Sequence, residues 1–248
     1  MKVTGFCPDQ LLHWSGMASS PGSAPDFYTP ENPDPNCFNK KAIIPFGVTP
    51  EHICKAMKEF TDFLGFLDLQ LYSKQMPRFE DFLMPANFSS MVGEFMSANI
   101  PKYCNSVVKN TYHNGQPDML PAGKYPKNSA QHAGADGIEI KASRYGKSWQ
   151  GHNAEDVWLM VFVFQSGRPT DVAKGILPVK FRFLSVLGEM LAKTDWQFAG
   201  RSETSRRTIT ASVLPCGYDK MAANWIYRAP GLSREAEANL IAVNTDEG

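Results

Sequence analysis

Eight consecutive apolar residues, Val157–Phe164 (VWLMVFVF), constrain the fold of this chain more than any other feature. A short run rich in β-branched and aromatic residues, with no polar face, reads as a strand covered on both sides. Such a strand needs a sheet around it and a layer of chain on each face. Ile138-Glu139-Ile140-Lys141-Ala142 and Val179-Lys180-Phe181-Arg182-Phe183 alternate apolar and charged residues with period two, as strands do. Arg207–Leu214 is a further β candidate. Gln116–Leu120 is a short extended piece, because Pro117 biases its predecessor away from the α region. Two helical stretches precede these strands. Thr49-Pro50-Glu51 supplies an N-cap, a proline at the first helical position and an acidic first turn. Ile53, Met57, Phe60 and Leu64 then recur at helical spacing to about residue 68. Ser90 to about Asn99 carries Met91, Val92, Phe95 and Met96 on one side and is expected to stop before Pro101. Helices followed by strands, one of them doubly covered, predict an α/β fold: a mixed sheet flanked by helices, in one domain over 49–248.

Residues 1–48 hold seven of the 18 prolines, which forbids a sustained helix or interior strand there. This Pro-rich arm is expected to drape irregularly over the body, with Trp14, Phe27, Tyr28 and Phe38 as anchors. Lys+Arg 25 against Asp+Glu 25 leaves no net charge, which excludes polybasic binding of nucleic acid but not a local basic surface. The five cysteines (Cys7, Cys37, Cys54, Cys104 and Cys216) form no CxxC pair, which argues against a disulfide framework or a zinc ribbon. No apolar run approaches membrane-spanning length, and the N-terminus does not read as a secretion signal. The expectation is a cytoplasmic protein without a membrane partner.

The chemistry concentrates in Pro117-Asp118, twenty intervening residues, then Glu139-Ile140-Lys141. Side chains alternate across a strand, so Glu139 and Lys141 share one face while Ile138, Ile140 and Ala142 take the other. A neighbouring strand that brings Asp118 alongside would place two carboxylates where a hard divalent cation binds. The lysine would stand ready to orient or help deprotonate a water. Hydrolysis of a phosphodiester needs those services. Asp136 is a rival to Asp118, but in a regular strand its parity turns it away from Glu139 and Lys141.

Pro117-Asp118 and Glu139-x-Lys141, followed by Ala142-Ser143, resemble the PD-(D/E)xK nuclease superfamily and, within it, the type II restriction endonucleases. The match covers residues 117–143 directly, and the order of elements from about 90 to 185 is also similar. The resemblance implies a restriction-endonuclease-like central mixed sheet, with Asp118 and Glu139 as metal ligands and Lys141 as the catalytic lysine. Many members add a glutamate from the preceding helix; Glu94 is the best-placed candidate and Glu80 the weaker one. The implied cofactor is Mg²⁺, for which Mn²⁺ can substitute. The implied substrate is double-stranded DNA cut at a short specific site by a homodimer, as half of a restriction-modification pair.

Arg144, Lys147, Gln150 and Asn153, in the segment leaving the Glu-x-Lys strand, have donors suited to phosphates or base edges. So do Arg201, Arg206 and Arg207, within a region (174–207) that holds seven Lys/Arg against three Asp/Glu. Ordinary exposed loops share that composition. Three other functions remain open: a junction or repair nuclease with the same core, a non-catalytic DNA-binding protein, and a metabolic enzyme of unrelated α/β fold.

Overall fold

The computed structural model describes residues 23–151, 153–171, 174–199, 210–233 and 235–236. Thr49 opens helix α1 (Pro50–Ser73), its hydroxyl accepting from His52 N–H while His52 Nδ1 accepts from Thr49 N–H. Each partner satisfies a donor that the helix start would leave free. A short α2 (Phe79–Phe82) leads to α3 (Pro85–Tyr103). This helix does not stop before Pro101 as expected but carries it in its last turn, where the missing N–H removes one bond and Cys104 N–H still reaches Ile100 O.

The main sheet has six strands in the order β1 (Val107–Lys109), β2 (Met119–Pro121), β3 (Ile138–Ser143), β5 (Val157–Gln165), β6 (Arg182–Leu191) and β9 (Trp225–Arg228). A second sheet joins β4 (Gln150–Gly151), β8 (Thr210–Val213) and β7 (Trp196–Ala199), with helix α4 (Pro215–Ala223) beside it in the chain. In the main sheet β3 and β5 run parallel, and the other described pairings are antiparallel. Parallel neighbours need a crossover, commonly a helix. Here residues 144–156 make it, contributing β4 to the small sheet on the way.

The apolar run is β5, and both its faces are covered. Trp158, Met160, Phe162 and Phe164 pack in one core with Phe60 and Leu64 of α1 and Val92 and Met96 of α3. Val157, Leu159, Val161 and Val163 pack in the other with Trp149, Trp196, Val213 and Met221. Each such buried side chain stabilises the fold by about 1.5–3 kcal/mol. The result is the expected mixed sheet flanked by helices, with a small sheet sharing the second face.

Residues 23–48 hold two single-turn 3₁₀ segments and lie along the body. Glu31 N–H donates to Phe181 O, Asn39 N–H donates to Ile226 O, and the Phe38 ring sits 4.7 Å from that of Tyr227. Phe27 lies under the Arg78 guanidinium and Tyr28 against Tyr72. Trp14 is outside the described residues. No helix among the described residues is long and apolar enough to cross a membrane.

Candidate active site

The site forms where β2 leaves β3. Their described register is a single pair, Met119 with Ile138. Two residues further the ladder would set Pro117 against Ile140. Proline has no N–H to give, and its carbonyl accepts instead from Asn110 Nδ2 at 3.0 Å. Asp118 takes over, its Oδ2 accepting the Ile140 N–H at 2.7 Å. The strand break thus turns a carboxylate in toward β3. Gly137 allows the close approach, since a Cβ there would run into Met119 O and Pro117 Cγ.

Parity along β3 is as the alternation predicts. Ile138 and Ile140 join the α1–α3 core, with Ala142 packed against it, while Glu139 and Lys141 share the opposite face. Lys141 Nζ donates to Glu139 Oε1 at 2.6 Å. Glu139 is only 6% exposed, and its Oε2 is buried with no hydrogen-bond partner among the described residues. Burial, then the Glu139 charge, pushes the Asp118 carboxyl up to about 7, against the pull of Lys141 and the Ile140 N–H. Burial pulls the Lys141 ammonium down, but Glu139 and then Asp118 outweigh it and hold the group above its ordinary value. Two crowded carboxyl groups and one unfilled buried oxygen are a donor set that suits a hard cation. No cluster of three His, Cys, Asp or Glu side chains poised to hold a metal occurs among the described residues. A cation here would rest on two carboxylates and complete its shell with water and substrate oxygens, as Mg²⁺ commonly does.

A cleft of about 930 Å³ opens beside this group. Asp118 and Lys141 line it, and Glu139, paired with Lys141, does not. The first turns of α3 (Ser89, Ser90, Gly93, Glu94) form one wall, and Lys109 with the turn Tyr112–Gln116 forms another. Glu94 therefore reaches the cleft, where it pairs with Lys109 at 2.6 Å while remaining largely exposed. Glu80 does not. It is fully buried at α2, ion-paired with Arg78 at 3.2 Å, and burial raises its carboxyl to about 8. Asp136 is committed to Lys124 and the Tyr125 hydroxyl, outside the cleft.

Among the DNA-contact candidates, Asn153 lines the cleft and Gln150 is exposed on β4. Lys147 is half-buried in the same crossover and does not line the cleft. Arg144 departs from expectation. Its guanidinium lies between the Phe88 and Phe164 rings and donates to Pro85 O, Ser166 Oγ and Gly167 O. It clamps the end of β3 to α3 and β5, and has few donors left for a ligand. Arg201, Arg206 and Arg207 lie outside the described residues. Sequence reasoning missed Lys109, Tyr112, His113, Asn114, Gln116 and His132, all of which line the cleft. They sit in or beside a three-residue strand and a turn, with no periodic signal to mark them. No protein-family model, no curated protein and no solved structure matches this chain.

Proposed function

We propose that the chain is a Mg²⁺-dependent endonuclease that hydrolyses phosphodiester bonds of double-stranded DNA at a short specific site, like the type II restriction endonucleases it resembles. One observation carries the reading: Asp118, distant in sequence, meets the Glu139–Lys141 pair of β3 beside a polar cleft. Asp118 and Glu139 are the residues that would hold Mg²⁺, or Mn²⁺ in its place. When bound, the cation supplies positive charge for the scissile phosphate and the departing oxygen. The part of Lys141 is to orient or help deprotonate a water and to steady negative charge by donating hydrogen bonds. Lys109 and Asn153 offer donors to phosphate or base edges along the cleft, and Glu94 lines the same cleft. One such centre per chain and two strands to cut imply a homodimer matched to a palindromic site.

The test is incubation of unmethylated plasmid DNA with Mg²⁺, with and without chelator, beside Asp118→Ala and Lys141→Ala. Discrete fragments are expected from wild type with Mg²⁺ alone, and intact plasmid from both variants. Equal behaviour of all three proteins refutes the assignment. Nicking confined to branched substrates would replace the site-specific reading with a junction nuclease.

A further inference from the structure

We infer that Asn110 is a positioning residue for Asp118, an inference that rests on the nuclease reading for the metal-binding role of that carboxylate. Asn110 follows β1 directly and is 8% exposed. Its backbone N–H donates to Asp118 O at 2.8 Å. Its side-chain amide donates to Pro117 O at 3.0 Å and to Ala130 O at 2.8 Å. Its side-chain oxygen accepts from Tyr112 N–H at 3.0 Å and from Ala130 N–H at 3.1 Å. An asparagine amide has two donor hydrogens and two acceptor lone pairs, and here every one is used inside the protein.

The geometry gives these bonds a purpose. Pro117 cannot continue the β2–β3 ladder, so nothing in the sheet itself fixes the peptide that precedes Asp118. Asn110 holds that peptide at Pro117 O through its side chain, and the peptide that follows Asp118 at Asp118 O through its backbone. The same side chain ties down the turn that begins at Tyr112 and forms a cleft wall. Through Ala130 it anchors the segment leading to His132 on the cleft rim. One buried amide thereby sets where the Asp118 carboxylate stands relative to Glu139 and Lys141. No other residue type offers two donors and two acceptors at that reach: aspartate lacks the donors, serine is too short, and glutamine is too long.

Amide hydrogen exchange and Mn²⁺ binding test this on the full chain. The Ile140 N–H is held by Asp118 Oδ2, so its exchange rate reports the position of that carboxylate without any metal or DNA. Asn110→Ala should accelerate exchange at Ile140 by about tenfold, while Leu159 and Leu187 in the core keep wild-type rates. Asn110→Ser guards against a variant that fails to fold, because its hydroxyl can still accept from Tyr112 N–H but cannot reach Pro117 O. It should show the same acceleration. Titration with Mn²⁺ alone, followed by the paramagnetic signal of free ion, should give affinity weakened by about 10–100-fold in both variants. A Leu187→Ala protein, destabilised in the far core, should bind Mn²⁺ as wild type does. Unchanged exchange at Ile140 in both variants overturns the inference, whatever happens to DNA. Accelerated exchange with Mn²⁺ affinity and DNA cleavage intact also overturns it. A wild type that neither binds Mn²⁺ nor cuts DNA removes the nuclease reading, while accelerated exchange at Ile140 would still establish the hold of Asn110 on Asp118.

Discussion

Asp118→Asn should give a protein that is inactive and yet more stable. A carboxyl raised from 3.8 to about 7 has a charged form that costs about 4 kcal/mol more in the folded protein than in the unfolded chain. Between those two values the folded state holds a proton that the unfolded chain has released, so wild-type stability falls as pH rises from about 4 through 7. Asparagine has the same shape, carries no charge and keeps an oxygen for the Ile140 N–H. It should stabilise the metal-free protein by about 2–4 kcal/mol at pH 8, and by only about 1 kcal/mol at pH 4.5. In urea that is a midpoint shift of roughly 1 M at the higher pH. The assay is equilibrium unfolding of both proteins at pH 4.5, 6 and 8, with chelator present, beside plasmid cleavage in Mg²⁺. A variant less stable than wild type at pH 8, or a gain that does not change with pH, would refute the account of this carboxyl as a crowded, desolvated acid.

Lys141→Met should destabilise by about 2–3 kcal/mol, because it leaves Glu139 buried without its ion-pair partner. Adding Glu139→Gln to that variant should restore most of the loss in chemical denaturation. Arg144→Ala should cost about 3 kcal/mol through lost internal bonds and ring packing. Asn153→Ala should leave stability within about 0.5 kcal/mol and weaken DNA binding in a gel-shift assay. Glu80→Gln should match wild type in unfolding experiments near pH 4 and exceed it by roughly 2–4 kcal/mol at pH 9. Wild-type stability is lost as pH climbs through the Glu80 value of about 8.

The parts of this molecule legible in the sequence are those set by local pattern. The two-residue alternation of Ile138–Ala142 fixed which side chains share a face, and the unbroken apolar run marked the doubly covered strand. What escaped depends on distant neighbours. Strand β6 was expected over 179–183 but runs from Arg182 to Leu191. Gly188 sits within it because a Cβ there would enter the ring of Trp158 on β5. Strands β1, β7 and β9 are three or four residues long, too short for periodicity to register. The candidate site divides the same way. The Glu-x-Lys pair is a local fact of one strand. The recruitment of Asp118 depends on how Pro117 ends a ladder with the distant strand β3. Arg144 resembled a ligand contact because its donors are visible in sequence, whereas the carbonyls that take them come from residues 85 and 167.

The doubly covered β5 also determines which pieces of this protein can be cut away. The candidate catalytic residues end at Lys141, yet Leu159, Val161 and Val163 pack in a core whose side chains come from as late as Met221 and Ala222. A fragment ending shortly after β5 would contain the whole candidate catalytic group and still present a bare oily wall to water. The part of the chain that holds the candidate site is therefore not severable from the last third, and shortened versions should be collected from the insoluble fraction, not assayed for weak activity.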